Sequence, residues 1–189
     1  MELSDAHGRF LLELACSTIR ATLAGQAPPS IDDIADSALS QSAGCFVSLH
    51  AQANHALRGC VGRMEAREPL VRCVRDTAMS VLGDPRFDNR RVQLAELSGL
   101  DIEISILSPL RPAATPLDFD LLNDGIYLML NGRSGVFLPQ VARETGWRRD
   151  QLLDRLCTEK MGFPAGSWRF AGAQLFVFST KILGPVAFV

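Results

Sequence analysis

Residues 45–62 read CFVSLHAQANHALRGCVG, and they contain two alternating stretches joined by a polar loop. Every second residue from Cys45 to Leu49 is apolar, and every second residue from Leu57 to Val61 is apolar or glycine. A period of two is typical of a β-strand with one buried face, so the pattern predicts a β-hairpin. Because hairpin strands are antiparallel, this segment argues against a doubly wound parallel sheet and favours an α+β fold.

The same alternation predicts which side chains of the hairpin share a face. Pairing Leu49 with Leu57, and continuing until Cys45 lies opposite Val61, gives one apolar face. The other face then carries the remaining side chains, which are Phe46, Ser48, Arg58 and Cys60. We therefore expect Cys60 and Arg58 to point the same way, and Cys45 to lie in the core.

Outside the hairpin, the spacing of apolar residues predicts helices and further strands. Helical spacing covers Asp5 to Leu23, Ser30 to Leu39, Pro69 to Leu82, Gln140 to Glu144 and Arg148 to Lys160. Strand-like patterns cover Leu100 to Leu107, Ile126 to Leu130, Val136 to Leu138 and Gln174 to Ile182. The predicted fold is a mainly antiparallel sheet with flanking helices.

Composition indicates an ordinary globular chain. Its 189 residues are 47% hydrophobic and 21% charged, with a formal net charge of -2. This length suits one domain over residues 1–189, in which the middle of the chain would form any smaller lobe. The small net charge, together with the lack of a basic run interleaved with aromatics, argues against nucleic-acid binding.

The N-terminus and the cysteines bear on the compartment. The first five residues, MELSD, are acidic where a signal peptide would be basic, and no apolar run of about 18 residues occurs. The cysteine count is five, an odd number without a CxxC pair, which suits a reducing compartment better than a disulfide framework. We therefore expect a cytoplasmic protein that does not use a membrane.

The segment from Leu57 to Gly62 carries the strongest chemical signal. Arg58 lies two residues before Cys60 in the same predicted strand, and a nearby guanidinium would favour the thiolate form of the cysteine. Gly59 and Gly62 have no side chains, so another backbone or a ligand can approach this strand closely. The alternative is a compact structural cysteine beside turn glycines, since most free cysteines behave as small hydrophobic residues.

Three further residues are candidates for a ligand site. Glu103 would supply a general base or an anchor for a polar ligand, although alternating polar residues also mark the solvated face of a sheet. Arg86 follows a predicted turn that would leave its guanidinium available to pair or to bind an anion. Gln140 begins a helix after a strand, where free backbone amides attract anions, although a plain junction needs no ligand.

The sequence indicates no cofactor and no metal site. Two cysteines and two histidines fall within one window, Cys45, His50, His55 and Cys60. However, His50 is about 16 Å from Cys45 along an extended strand, at about 3.3 Å per residue. Zinc ligands must all lie about 2.0 to 2.3 Å from one ion, so the spacing argues against a shared metal.

Five blocks of the sequence resemble the AMMECR family, whose prokaryotic members are also called AmmeMemoRadiSam system protein A. The blocks are residues 44–49, 57–62, 84–87, 100–107 and 137–141. Residues 57–62, LRGCVG, match the family's signature LRGCIG or LRGCVG. The resemblance implies a compact α+β fold of two unequal lobes, with the signature facing a groove between them.

The resemblance brings no established reaction. The family's prokaryotic genes often accompany those of a Memo-like protein and a radical-SAM protein, which implies membership of an enzymatic system with these partners. Two functions are predicted. In the first, Cys60 is a nucleophile or redox thiol, Arg58 stabilises its thiolate or a substrate anion, and Glu103 handles a proton. In the second, a non-catalytic groove binds a small molecule or a partner protein through Ser48, Gly59, Gly62, Arg86 and Gln140.

Overall fold

The computed structural model describes residues 3–65 and 67–188. Its α-helices are α1 (Asp5–Leu23), α2 (Leu70–Ser80), α3 (Pro139–Thr145) and α4 (Arg149–Arg155). Its strands are β1 (Cys45–Ala51), β2 (Leu57–Arg63), β3 (Leu100–Leu107), β4 (Arg111–Pro112), β5 (Gly125–Leu130), β6 (Arg133–Phe137), β7 (Gln174–Phe178) and β8 (Thr180–Ala187). Short 3-10 turns cover Val81–Gly83, Pro85–Arg90, Leu94–Gly99 and Ser167–Arg169, and a π-helical turn, Leu156–Met161, follows α4. The predicted α+β class is confirmed.

The chain divides into two units, each with its own sheet. The first unit runs as far as Leu107 and includes the C-terminal segment from Lys181, and the second unit is Ser108–Thr180. The strand order is β2-β1-β3-β8 in one sheet and β4-β7-β5-β6 in the other. β1 is antiparallel to β2 and β3, and β5 is antiparallel to β6 and β7. No helix in the described part of the chain is long and apolar enough to cross a membrane.

The core of the first unit lies between its sheet and its helices. α1 and α2 contact each other, and they contact β3 and β1 respectively. The fully buried side chains include Leu11 and Val74 from the helices, and Val47, Leu49 and Ile104 from the strands. Each such side chain stabilises the fold by about 1.5 to 3 kcal/mol through the apolar surface it removes from water. One face of the first unit's sheet therefore packs against the helices and forms part of the hydrophobic core.

The second unit has a separate apolar core. Ile126 and Leu128 of β5 pack in one cluster with Leu153 of α4 and with Leu156, and all four side chains are at most 1% exposed. The two strands predicted on either side of Asn131 pair as an antiparallel hairpin, although β6 begins earlier than the alternating pattern indicated. Each unit therefore has its own hydrophobic core.

The hairpin of β1 and β2 forms with a register two residues away from the predicted one. Leu49 pairs with Gly59 instead of Leu57, and the last pair joins Cys45 to Arg63. The predicted register was therefore wrong. A shift of two residues nevertheless keeps Gly59, Cys60 and Val61 on their predicted faces, because strand side chains alternate with a period of two. Leu57 is the exception, since it pairs with His50 and leaves the predicted apolar face.

The loop and a bulge together set the observed register. The loop closes with the N–H of Ala51 donating to the carbonyl of Ala56 at 2.8 Å. His50 then pairs with Leu57, and the register shifts before the next pair, which makes Arg58 an extra residue in β2. Such a β-bulge breaks the regular alternation at one position only. Alternation in the sequence does not reveal either feature.

The predicted helix from Ser30 to Leu39 does not form, and the chain makes turns there instead. The hydroxyl of Ser30 accepts the N–H of Asp32 at 3.3 Å. Asp36 accepts the N–H groups of Ala38 and Leu39, at 2.8 and 3.0 Å. Short polar side chains that bond to the backbone two or three residues ahead stabilise local turns and compete with a continuous helix.

The predicted strand from Gln174 to Ile182 is divided between the two sheets. It is interrupted at Ser179, which exchanges two hydrogen bonds with Ser108, at 2.9 Å to the Ser179 carbonyl and 3.0 Å from the Ser179 N–H. β7 lies on one side of this break and β8 on the other. The remaining predicted helices and strands form within a few residues of their predicted bounds.

Candidate functional site

Cys60, Ser48 and Glu103 lie side by side across three neighbouring strands. Ser48 of β1 pairs with Cys60 of β2 on one side and with Glu103 of β3 on the other. Directly paired residues point to the same face of a sheet, with Cβ atoms about 4.5 to 5.5 Å apart. The thiol, hydroxyl and carboxylate therefore share the face opposite the core. We call these three residues the polar row.

The polar row is partly shielded from solvent. Ser48 is 9% exposed, and Cys60 and Glu103 are half-buried. The sulfur of Cys60 is a free thiol. Cys45, by contrast, lies on the opposite face of the sheet and is fully buried in the core, as predicted. The two cysteines of the hairpin thus lie in different environments, and only Cys60 is placed where a ligand can reach it.

Two side chains hold the backbone of Cys60 from the outer side of β2, which is an edge strand of its sheet. The N–H of Cys60 donates to Asp84 Oδ2 at 2.9 Å. The carbonyl of Cys60 accepts from the guanidinium of Arg86, also at 2.9 Å. Both backbone polar groups of the signature cysteine are therefore satisfied by one short turn that lies more than 20 residues further along the chain.

Asp84 and Arg86 also bind each other. The guanidinium of Arg86 donates to both carboxylate oxygens of Asp84, at 3.0 and 2.6 Å, and its backbone N–H donates at 3.1 Å. The side chain of Asp84 is 3% exposed. The hydrogen bonds from Arg86 lower the pKa of Asp84 to about 2, and the N–H of Cys60 contributes to the same effect. The carboxylate is therefore ionised at neutral pH.

The guanidinium beside the Cys60 thiol belongs to Arg86. The pKa of Arg86 is raised, mainly by its hydrogen bond to Asp84, and the side chain of Cys60 adds smaller contributions through its charge and a hydrogen bond. The side chain of Arg86 is 50% exposed. The sequence predicted that Arg86 would pair or bind an anion, and the structure shows it paired with Asp84 and bound to the Cys60 carbonyl.

Arg58 is directed elsewhere because it is the extra residue of the bulge. Its guanidinium donates to both oxygens of Glu96, each at 3.1 Å, and to the carbonyl of Arg90 at 3.0 Å. The side chain is 13% exposed. Regular alternation predicted that Arg58 would be the cation next to Cys60. The structure corrects this prediction, because Arg58 pairs with Glu96 and joins β2 to the segment that follows α2.

The two glycines of the signature are closely approached by other groups of the protein. A Cβ atom at Gly62 would lie 2.2 Å from the ring of Phe46. A Cβ atom at Gly59 would lie 3.0 Å from the carbonyl oxygen of Val81. The predicted close approaches therefore exist, and the protein's own groups make them. Glycine at these positions has a packing reason that requires no ligand.

Gln140, the remaining predicted ligand contact, belongs to the second unit. It lies in the first turn of α3, and its Oε1 is buried without a hydrogen-bond partner among the described residues. A buried acceptor without a donor is unusual in a folded protein. Within residues 3–65 and 67–188, no three His, Cys, Asp or Glu side chains are grouped closely enough to hold a metal ion.

Phe87 is a further residue near this site, and the sequence did not indicate its contacts with Arg58 and Arg86. The predicted turn at Asp84 forms, and Phe87 within it is half-buried. Its ring is surrounded by guanidinium groups from Arg58, Arg86 and Arg90. The run of arginines near residue 90 was visible in the sequence, but nothing local indicated that these side chains converge on one ring.

Fold and site together define a class of α+β protein with two four-stranded sheets and a cysteine at the centre of an edge strand. The AMMECR1 family model matches residues 12–183. This chain belongs to the AMMECR1 family, as its signature and four other sequence blocks predicted.

Relatives cover almost the whole chain. A protein of Methanothermobacter thermautotrophicus is 33% identical over 95% of this chain and 95% of its own length. Protein MJ0810 of Methanocaldococcus jannaschii is 31% identical over 97% of this chain and 92% of its own length. The crystal structure of the uncharacterized protein PH0010 from Pyrococcus horikoshii has a TM-score of 0.84 and 29% identity, and covers 93% of this chain and 89% of that one. These matches establish family and fold.

Proposed function

We propose that the protein is an enzyme, or a component of an enzymatic system, whose reactive group is the thiol of Cys60. The polar row carries this proposal, because it sets a thiol, a hydroxyl and a carboxylate in line on one half-buried sheet face. A reactive cysteine needs a nearby positive charge and partial exposure. Arg86, whose guanidinium binds the Cys60 carbonyl at 2.9 Å, is the cation proposed for this role in place of Arg58.

The spacing of the polar row suggests a separate chemical role for each of its three residues. Strands in a sheet lie about 4.7 to 4.9 Å apart, so the backbones at Cys60 and Glu103 are about 10 Å apart. A substrate lying over Ser48 would contact both ends of the row at once. In this arrangement the thiol of Cys60 gives up its proton and attacks an electrophilic carbon of the substrate, the Ser48 hydroxyl donates a hydrogen bond to the substrate, and Glu103 transfers the proton to the group whose bond to that carbon breaks.

The family resemblance suggests the partners and the cellular compartment of the proposed reaction. The proposed partners are the Memo-like and radical-SAM proteins whose genes accompany family members. The five cysteines are all free, which suits a reducing compartment such as the cytoplasm. The thiol of Cys60 would then act on a small molecule that these partners supply or consume.

The reactivity of Cys60 toward iodoacetamide at pH 7 tests the proposal. We expect the folded protein to be alkylated at Cys60 about tenfold faster than an unfolded peptide of residues 57–63, because the proposal sets the guanidinium of Arg86, which binds the Cys60 carbonyl, near the reacting sulfur. Peptide mapping by mass spectrometry gives the rate at each cysteine. Cys16 is a matched internal control, since it is also half-buried, but burial raises the pKa of its thiol to about 11. A Cys60 rate no faster than that of the peptide would exclude the reactive thiol.

The second candidate function is a non-catalytic binding module, and the signature glycines favour it. Phe46 and the backbone at Val81 occupy the space at Gly62 and Gly59, so these two glycines serve to shape the strand. Replacing Cys60 by Ser separates the two functions. Binding of a small molecule or partner would survive the change almost unaltered, whereas covalent or redox chemistry at the sulfur would be lost.

A further inference from the structure

Three guanidinium groups surround the ring of Phe87, next to the polar row. Their central carbons lie 6.0 Å (Arg58), 5.8 Å (Arg86) and 5.7 Å (Arg90) from the ring centroid. Like charges this close repel one another, so the cluster is stable only if anions offset part of its charge.

The protein supplies two of the anions that this cluster needs. Glu96 pairs with Arg58, and Asp84 pairs with Arg86. Arg90 forms no salt bridge with any other described residue, although its neighbour Arg91 pairs with Asp88 on the surface. Three cations and two carboxylates leave one excess positive charge, and that charge is at Arg90.

We propose that Arg90, Phe87 and Arg86 form a binding site for an oxyanion, a carboxylate or phosphate group carried by the substrate of Cys60. This inference rests on the proposed function and names the chemical class of its substrate. A planar guanidinium offers parallel N–H donors that match two oxygens of a carboxylate or phosphate. Arg90 is exposed and Arg86 is half-exposed, so both can reach a ligand from solvent.

Arg86 contacts both the ring of Phe87 and the backbone of Cys60, so it links the proposed anion site to the residue that carries the thiol. Its guanidinium donates to the Cys60 carbonyl at 2.9 Å while its central carbon lies 5.8 Å from the Phe87 ring. An oxyanion bound by Arg86 would therefore lie near the backbone of Cys60, at the edge of the sheet that carries the polar row. The contacts to Phe87 and Asp84 hold the arginine side chains in place, so less conformational entropy is lost on binding.

Titration with two simple probes, acetate and inorganic phosphate, tests the site. Each probe is added at constant ionic strength, with chloride as the exchanged ion, because surface charge effects depend on salt. We expect saturable changes in the backbone amide NMR signals of residues 84–91 and Cys60. Arg90→Gln should raise the Kd for at least one probe about tenfold, and Arg90→Lys, which keeps the charge but loses the fork, should have an intermediate effect.

Arg91→Gln is the matched control, since it removes an equal charge from the adjacent position, where the side chain is 57% exposed and paired with Asp88. It should leave the Kd unchanged. Signals that do not saturate with either probe, or equal weakening by Arg90→Gln and Arg91→Gln, would overturn the inference. Cys60→Ser should bind both probes normally, so an unreactive thiol with an intact anion site would contradict the proposed function alone.

Discussion

Asp84→Ala is expected to lower the free energy of unfolding by about 3 kcal/mol. The change removes a nearly buried carboxylate that accepts from the Cys60 N–H and from Arg86. Losing one partner of such a pair leaves the other charge and the backbone N–H without compensation, which usually costs about 3 to 5 kcal/mol for a fully buried pair. The half-exposed Arg86 keeps contact with water, so we place the effect at the lower end. Urea unfolding followed by circular dichroism measures it.

The matched control for this prediction is Asp88→Ala. Asp88 also pairs with an arginine, Arg91, but both side chains are more than half exposed, at 54% and 57%. Exposed ion pairs contribute at most about 1 kcal/mol, so this variant should differ little from the unmodified protein. Equal destabilisation by the two variants would show that the buried contacts of Asp84 contribute no more to the free energy of unfolding than an exposed ion pair does.

The same carboxylate predicts how stability depends on pH. The pKa of Asp84 is about 2 in the folded protein, against an ordinary value of 3.8. A lowered pKa stabilises the fold above the unfolded-state value, and this stabilisation is lost as the pH falls from about 4 to about 2. At about 1.4 kcal/mol per pKa unit, the loss is about 2 kcal/mol. Asp84→Ala should therefore show a shallower loss of stability across this acid range.

Gly44→Ala is expected to destabilise the protein by about 3 kcal/mol, and it acts on the other end of the signature strand. A Cβ atom at Gly44 would lie 2.4 Å from the carbonyl oxygen of Arg63 and 2.9 Å from that of Met64. Backbone atoms cannot rotate away as a side chain does, so β1 and β2 would have to separate. The carbonyl of Gly44 also accepts from Leu107 at 2.9 Å, which holds it against β3.

Gly99→Ala is the control for this substitution, because no atom lies within 4 Å of the position its Cβ would take. We expect it to change stability by less than about 0.5 kcal/mol. Thermal and urea unfolding of the two variants give the comparison. If Gly44→Ala were as stable as Gly99→Ala, the close contact between the ends of the two strands would be excluded.

Periodicity in the sequence predicted the faces of the strands well and their pairing poorly. An even shift in register leaves the alternation unchanged, so no pattern of apolar residues distinguishes Leu49 opposite Leu57 from Leu49 opposite Gly59. The loop closure at Ala51 and the bulge at Arg58 decide between these registers. The break at Ser179 was missed for a similar reason, since two successive strands and one long strand give the same alternation.

The candidate site was predicted in part, and the missing part depends on contacts between distant residues. Cys60 and Ser48 were placed together because both belong to one hairpin, and Glu103 was identified from its own strand. The pairing of β1 with β3 brings Glu103 into line with them. The turn at Asp84 was also predicted, but a local pattern does not indicate that the same carboxylate binds a backbone N–H 24 residues away.

The hydrogen bonds from Asp84 and Arg86 to the backbone of Cys60 also affect whether a second chain can add a strand to this edge of the sheet. An edge strand with unsatisfied N–H and C=O groups is a template onto which a second chain can add a strand, which leads to aggregation. In β2 the central residue has both groups occupied by Asp84 and Arg86, so an incoming strand would meet a salt bridge where it needs partners. One charged turn thus occupies the backbone groups through which a second strand would pair with the centre of β2.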